Sequence, residues 1–448
     1  MLLLHLIHLP FSFSASVWPQ TMDSAMDGNA NFADLEALEP DVKVPFYIYQ
    51  TPAMRKLYDG CQRTALSILD GRWPPHLPKG MGDVNRKNYD EVFWLDQLWN
   101  DSWRTFDPED ALVFVIPVYP VLSLEQACEG DRNQTHALAE AAIMQLPYFG
   151  RNEGLDHIVM GIDWRFTHTK NKSIKRAFGR RFAALAKKIS WGRKVAERGY
   201  GHIGCAVTSP FTSVLTFLQK GNQPFEKESL LERGLIDARD VFEDNCIHTA
   251  RNPPSKHDWF ARDYSMFFQG QTSFRRGYIY RRLAFQHLVG WNFTAKGDDV
   301  TSSRYVDGFR SRTLNVLITE AEEMFKYAMP FQCEIPWRNF TFVIDGPLFK
   351  ADPRKALTPI LEEVYGDHAA IRERLRLMDY YSKKILWDAP GSTTARSVLR
   401  AMTRQCLTEK AKADFIRRTS KWKHGEWMRL CNAGGMHAIL RYSRRIDK

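Results

Sequence analysis

The segment AKGDDVTSSRYVDGFRS, residues 295–311, combines small, hydroxyl and charged residues in an order that could bind a diphosphate. Ser302 and Ser303 can cap a helix that begins there and donate hydrogen bonds to phosphate oxygens. Arg304 can add a charge-assisted contact, and Asp307 lies one turn further along the same helix face, where a carboxylate suits a pair of ribose hydroxyls. The segment therefore predicts either a nucleotide-sugar site or an ordinary capped helix with a surface Arg–Asp pair.

Apolar runs in the first half of the chain predict the strands of a parallel sheet. VPFYIYQTP, residues 44–52, and ALVFVIPVYP, residues 111–120, are rich in aromatic and β-branched residues, and such runs are typical of strands covered on both faces. The helical pattern at residues 124–146 separates them from a further strand and turn at residues 201–211. This alternation predicts an α/β domain.

A second alternating domain is expected after NPPSKHDWFARD, residues 252–263. YSMFFQGQ ends its first strand near Gly270, VGWNFTAKG leads into the opening segment, and TLNVLI follows the predicted helix as another strand. The expected boundaries are an apolar leader and stem at residues 1–43, a first domain at 44–255, a second at 256–390, and a basic helical extension at 391–448.

The 448 residues suffice for two domains, and the formal net charge of +10 is distributed unevenly. Residues 401–448 contain twelve Lys or Arg against four acids, which suits either an acidic polymer or a solvated helix face. Residues 164–196 contain eleven Lys or Arg and no acid. Within them, residues 173–189 have the spacing of an amphipathic basic helix, which could pack on a sheet or line an anionic substrate. No nucleic-acid recognition motif is evident.

Cysteines, sequons and the first residues bear on the cellular compartment. The seven cysteines form no CxxC pair or Cys/His cluster, so structural zinc is not expected. We expect one or more disulfides, with at least one thiol free or paired with another chain. Residues 1–18 are apolar but lack a basic start, which is typical of a signal-peptide core or a poor signal anchor. Five N-x-S/T sequons also favour the secretory route: Asn100, Asn133, Asn171, Asn292 and Asn339.

The order of these segments resembles the exostosin family of glycosyltransferases. In the C-terminal half of that family, F-C-L-x-P-x-G-D precedes S-x-R-x-x-(D/E)-A, then G-C-x-P-V and a later P-F pair. WNFTAKGDDVTSSRYVDGFRSRTLNVLI takes that place here. The residues that match by position are Gly297, Asp298, Ser302, Arg304, Asp307, Val316, Pro330 and Phe331.

Other segments extend the resemblance over residues 44 to about 390. YSMFFQGQ and RGYIYRRL resemble the family's R-x-x-L-F-x-F-x-G…G-x-x-R-x-x-L, and IPWRNFTFVID resembles the segment after the P-F pair. FYIYQTP and VFVIPVY resemble the family's first two strands. YFGRNEGLDHIVMGIDW resembles W-N-R-S-x-G-x-D-H-F…D-W, with matches at Asn152, Gly154, Asp156, His157 and Asp163.

Some positions depart from the family pattern. Asn292 and Ala295 replace the Cys and Pro of the donor loop, residues 312–316 replace G-C-x-P-V, and Leu155 replaces the Arg of an R-D-H triplet. The phosphate-facing Arg, Ser and Asp are retained, so the resemblance still implies donor binding.

The resemblance implies a GT-B fold, in which two Rossmann-like domains face each other across a cleft and the second holds the nucleotide. Ligands of such domains lie at the carboxyl ends of the strands. No metal or other cofactor is implied, because positive side chains and a helix N-terminus stabilise the departing diphosphate. The implied donor-binding residues are Gly270, Arg281, Arg282, Lys296, Gly297, Asp298, Ser302, Ser303, Arg304 and Asp307.

Direct transfer would need a base for the acceptor hydroxyl. The resemblance places Asp156, His157 and Asp163 on the acceptor side, although Asp156 and His157 could equally form a structural pair. The implied protein is a Golgi hexosyl- or pentosyltransferase that acts from a nucleotide sugar, UDP-linked, on a polysaccharide or glycoprotein glycan that could be anionic, with membrane association through the N-terminus. The alternatives are an inactive exostosin-like glycan-binding or accessory protein and a basic polyanion-binding protein.

Overall fold

The computed structural model of the chain describes part of its length. The described residues are 2–6, 43–70, 89–124, 127–129, 138, 141–143, 145–152, 154, 156–160, 183–185, 205–207, 209–212, 266–267, 283, 304–310, 313–319, 329–332 and 334–419.

The described residues contain nine strands and nine helices. The strands are β1 (Leu2–Leu6), β2 (Phe46–Ile48), β3 (Val113–Val115), β4 (His157–Val159), β5 (Ala183–Leu185), β6 (Cys205–Val207), β7 (Met266–Phe267), β8 (Leu314–Thr319) and β9 (Thr341–Asp345). The helices are α1 (Pro52–Leu69), α2 (Asp90–Trp99), α3 (Pro120–Leu124), α4 (Arg304–Arg310), α5 (Gly346–Ala351), α6 (Pro353–Gly366), α7 (His368–Ile385), α8 (Thr394–Gln405) and α9 (Glu409–Thr419). Short 3-10 turns lie at Pro108–Asp110 and Trp337–Asn339.

The first sheet is parallel and has the order β2-β3-β4-β5-β6. Side chains alternate between its faces: Val113 and Val115 lie in one buried cluster, whereas Phe114 lies in another. The sheet is thus covered on both faces, and the strands predicted near residues 44–52, 111–120 and 201–211 are confirmed. These described strands follow chain order without a reversal, so they contain no switch point of a doubly wound sheet. The α/β class is confirmed, while the pair of Rossmann-like domains remains a prediction.

Helix α1 shows how local sequence signals define an element at the carboxyl edge of this sheet. Thr51 caps the helix by accepting a hydrogen bond from the Met54 N–H at 3.3 Å, and Pro52 occupies the first turn. Met54, Leu57 and Cys61 recur at helical spacing on the buried face.

Strand β5 corrects the helix predicted over residues 173–189. Ala183 pairs in parallel with Ile158 of β4 and with Cys205 of β6, so at least the described part of this segment is a strand. The apolar spacing of residues 173–189 fits a helix. However, β4 and β6 each have an edge of backbone N–H and C=O groups that need hydrogen-bond partners, and β5 supplies them. Sheet pairing therefore overrides the local pattern here.

The second sheet has the order β7-β1-β8-β9 and combines both strand orientations. Strands β8 and β9 are parallel, with Asn315 opposite Thr341, whereas β1 is antiparallel to β7 and β8 and places Leu4 opposite Val316. Strand β1 lies within the leader predicted at residues 1–43, and that leader stays a prediction. The rest of that predicted leader and stem, residues 7–42, lies outside the described residues.

Helix α8 and the loop before it pack against the first half of the chain. The Gln97 side chain of α2 donates to the Trp387 carbonyl at 2.6 Å and accepts from the Ala395 N–H at the start of α8, at 3.0 Å. Trp387 in turn donates its indole N–H to the Pro210 carbonyl, at 3.0 Å. Val398 of α8 is fully buried. The predicted extension is therefore helical up to residue 419, and α8 belongs to the core.

Two cysteines close a loop in the first half. Cys61 and Cys128 form a disulfide with a Cα–Cα distance of 4.3 Å and a sequence separation of 67. Cys406 is also disulfide-bonded. The expectation of disulfides is confirmed.

Among the described helices, none combines the length and the apolar character needed to cross a membrane.

Candidate active site

His157, one of the predicted catalytic residues, is held at both ring nitrogens. Nδ1 lies 2.7 Å from Asp156 Oδ1, and Nε2 lies 2.8 Å from the Tyr49 hydroxyl. Because a carboxylate only accepts, Nδ1 is the donor, and Nε2 of a neutral ring accepts from Tyr49. The other Asp156 oxygen accepts from Asn152 Nδ2 at 2.6 Å. The four side chains form one hydrogen-bonded chain.

An aromatic shell surrounds the His157 ring. Phe114 stacks on it with centroids 4.9 Å apart, and Phe149 meets it edge-on at 5.0 Å. His157 is 0% exposed and Asp156 1%. Burial, and next the charge of Asp156, raise the pKa of the Tyr49 hydroxyl well above its ordinary value. These four hydrogen-bonded side chains therefore lie inside the protein, on a covered face of the first sheet.

This geometry gives Asp156 and His157 the environment of a structural pair. His157 is the first residue of β4, whereas ligands of parallel α/β sheets lie beyond the carboxyl ends of the strands. A base must also offer a free atom to the acceptor, and both ring nitrogens already have protein partners. Asp163 follows the carboxyl end of β4 in sequence but lies outside the described residues. The catalytic assignment of all three residues stays a prediction.

Replacing His157 with phenylalanine is expected to destabilise the fold by about 2 kcal/mol, because the buried Asp156 and Tyr49 oxygens each lose a partner. Tyr49→Phe removes only one hydroxyl and should cost about 1 kcal/mol. Urea unfolding of both variants measures these losses. Full stability of His157→Phe together with lost activity would instead support the base assignment.

Two consecutive acidic residues organise the carboxyl edge of the first sheet. Glu91 accepts the backbone N–H groups of Val121 and Leu122 at the start of α3, both at 2.8 Å. Asp90 accepts the N–H and hydroxyl of Thr212 at 3.2 and 2.9 Å. Both carboxylates are fully buried at the first turn of α2, where the helix dipole favours negative charge. They fix the loops that follow β3 and β6.

Helix α4, which carries two predicted donor-binding residues, reaches this same edge. Tyr305 is 4% exposed, and its pKa is raised by burial and next by the charge of Asp90, while a hydrogen bond with the Phe211 backbone opposes the shift. The first turn of α4 is therefore packed against the loop after β6. This contact joins the two halves of the chain beside the carboxyl ends of the parallel strands.

The Pro330–Phe331 pair lies next to α4, and the backbone of Phe331 is strained. Phe331 adopts a positive φ of 53°, which a bulky residue rarely adopts, and its carbonyl accepts the N–H groups of Glu334 and Ile335. The Trp337 indole N–H donates to the Pro330 carbonyl at 2.7 Å. The same indole meets the ring of Phe309 in α4 edge-on at 5.7 Å. The turn thus supports the underside of α4.

The loop after this turn is held by a buried ion cluster. Glu334 accepts from Arg400 Nε and Nη2 at 2.9 and 2.8 Å, and from the Ser397 hydroxyl at 3.0 Å. Arg404 Nη2 lies 2.9 Å and Lys384 Nζ 4.0 Å from the same carboxylate. Burial raises the pKa of Glu334, but the cations, Arg400 foremost, outweigh it and lower that pKa to about 2. The cluster locks α8 onto the second half.

Few of the predicted donor-binding residues fall within the described structure. Arg304 and Asp307 lie on α4, as predicted, although only their backbone is described. The others lie outside the described residues: Gly270, Arg281, Arg282, Lys296, Gly297, Asp298, Ser302 and Ser303.

Sequence reasoning missed Asp90, Glu91 and Tyr305. An acidic pair at the start of a helical pattern, followed by VFWL, was a detectable sign of a buried helix N-terminus. Tyr305 gave no such sign, because its partners Asp90 and Phe211 are distant in sequence.

Comparison with known proteins identifies the family. The Exostosin GT47 domain matches residues 40–357, which is well over half of the chain. One curated relative is the xyloglucan galactosyltransferase XLT2 of Arabidopsis thaliana, which is 33% identical over 89 residues. That match covers 18% of this chain and 17% of the relative. The chain is thus aligned to less than a fifth of this relative's length.

Proposed function

Because the chain belongs to the Exostosin GT47 family, we propose that it is a glycosyltransferase that moves a sugar from a nucleotide sugar to a glycan. The observation that carries the proposal is the position of α4. This helix bears the family's Arg and Asp positions. Its Tyr305 is buried in the same hydrophobic cluster as Phe211, which follows β6 at the carboxyl edge of the parallel sheet. That edge is where α/β proteins bind nucleotides.

In the proposed donor site, Arg304 neutralises charge on the diphosphate and Asp307 accepts hydrogen bonds from the ribose. A guanidinium suits this task because its planar donors match phosphate oxygens and it stays charged. Charge that develops on the leaving diphosphate is stabilised by such fixed groups, so the mechanism we propose needs no metal. Ser302, Ser303, Lys296 and one of Arg281 or Arg282 complete the proposed set, and UDP is the proposed nucleotide.

The acceptor would enter from the first half of the chain. Of the three candidate bases, Asp163 is the one we propose, because it follows the carboxyl end of β4 while His157 and Asp156 are buried with protein partners. A carboxylate there could take the proton from an acceptor hydroxyl in an inverting transfer. The acceptor class we propose is a polysaccharide or glycoprotein glycan.

We propose the Golgi lumen or its membrane as the site of action. Disulfides such as Cys61–Cys128 persist in oxidising compartments, and Asn100 and Asn339, which lie in sequons, are exposed. Membrane attachment through the first residues would compete with their pairing in β1.

A screen of nucleotide sugars tests the proposal. Purified protein is incubated with UDP- and GDP-linked sugars, with and without oligosaccharide acceptors, and the released nucleotide is quantified. We expect release from a UDP-sugar that rises when an acceptor is added. Binding of UDP or glycan without turnover would favour the inactive accessory protein, which the altered residues 312–316 keep as the second candidate. Absence of both binding and release would reject both.

A further inference from the structure

A buried amide lies under the first turn of α4. Asn315 of β8 is 2% exposed, and its Nδ2 donates to the Tyr305 carbonyl at 3.1 Å. Tyr305 directly follows Arg304 and precedes Asp307 by two residues. One side chain of the second sheet therefore holds the backbone between the two proposed donor-binding residues.

The contact depends on a glycine in α4. A Cβ added at Gly308 would lie 2.5 Å from Asn315 Oδ1 and 3.1 Å from its Cγ, closer than such atoms pack. The backbone has little room to yield, because the Gly308 carbonyl accepts the Thr313 N–H at 2.8 Å in the turn that leads into β8. Any side chain at residue 308 would therefore displace the Asn315 amide, the helix, or both.

The two residues are both departures from the family pattern described above. Gly308 stands where S-x-R-x-x-(D/E)-A has its final Ala, and Asn315 stands where G-C-x-P-V has its Pro. Asparagine at 315 gains a hydrogen bond to α4 that a proline side chain cannot make, and glycine at 308 removes the methyl that would collide with it. Each departure alone is unfavourable, whereas together they fit.

We propose that Gly308 and Asn315 form a compensated pair that positions α4, and with it Arg304 and Asp307, for donor binding. Both are positioning residues that act through the helix rather than by touching the donor. This inference rests on the proposed function, because the position of α4 matters for activity only if the helix binds the nucleotide sugar. It accounts for how residues 312–316 can depart from the family pattern while the donor site is retained.

A double-variant cycle tests the pair by calorimetric titration with UDP and by thermal unfolding. We expect Gly308→Ala and Asn315→Ala each to weaken UDP binding, Gly308→Ala about tenfold, and each to lower the melting temperature. The losses in Gly308→Ala/Asn315→Ala should be smaller than the sum of the two single losses. Steady-state kinetics of Gly308→Ala should show a raised donor KM together with a lowered kcat, because both depend on the position of Arg304. Gly366→Ala is the matched control, because a Cβ there meets no atom within 4 Å, and it should bind UDP like the wild type.

Each outcome bears on the pair. Additive losses in the double variant, or wild-type UDP affinity in Gly308→Ala, would overturn it. If Gly308→Ala fails to fold, a folded double variant that binds UDP supports the pair, and an unfolded one rejects it. If the wild type itself binds no UDP, the proposed function fails, and the inference fails with it.

Discussion

Replacing Arg304 with alanine is expected to reduce sugar transfer by a factor of about 10²–10³ while leaving the fold intact. The proposed role of Arg304 is to stabilise charge on the departing diphosphate, and that charge is largest in the transition state. Its loss should therefore lower kcat as well as weaken donor binding. Initial rates at saturating acceptor, measured over a range of UDP-sugar concentrations, give both quantities.

Arg417→Ala serves as the matched control for this variant. Arg417 is 79% exposed and pairs with Asp414 one turn away on α9, far in sequence from the donor motif. It should retain wild-type rates, and both variants should show wild-type unfolding curves. If the Arg304→Ala protein transfers sugar at the wild-type rate, the assignment of the donor site to α4 is wrong.

Replacing Glu334 with glutamine is expected to destabilise the protein by about 3 kcal/mol at pH 7. The substitution leaves Arg400, Arg404 and Lys384 without the carboxylate that they share in the interior. Urea unfolding monitored by tryptophan fluorescence measures the loss. Glu409→Gln is the control: its carboxylate is 79% exposed, so its loss should change stability by less than about 0.5 kcal/mol.

The same carboxylate predicts a pH dependence whose sign is fixed. The folded pKa of Glu334, about 2, lies below the ordinary value of 4.5, so the folded protein binds fewer protons there than the unfolded chain. Its stabilising contribution is fully present above pH 4.5 and is lost as the pH falls toward 2. Stability measured from pH 6 down to pH 2 should therefore fall more steeply in the wild type than in Glu334→Gln. Parallel curves for the two proteins would contradict the ion-cluster geometry.

Local signals in the sequence were sufficient to predict three strands and the helix that carries the donor motif. The apolar runs that form β2, β3 and β8 are strand-like on their own, and α4 lies within the helix predicted to begin at Ser302 and Ser303. These segments need no distant partner to reveal their type.

Elements that depend on distant partners could not be predicted in this way. Residues 173–189 have helical spacing, but residues 183–185 within them form β5 because β4 and β6 flank them. Residues 2–6 form β1 because they pair with β7 on one side and β8 on the other. Likewise, the pair Asp156–His157 could be located by its motif, but its burial depends on Tyr49, Phe114 and Phe149, which come from other parts of the chain.

The central claim is that α4 helps to bind a nucleoside diphosphate at the carboxyl edge of the first sheet. Calorimetric titration of the wild type and of Arg304→Ala with UDP tests it most directly. We expect saturable 1:1 binding by the wild type and binding weakened at least about tenfold in the variant. Absence of heat with UDP, or equal affinity in the two proteins, would contradict the claim.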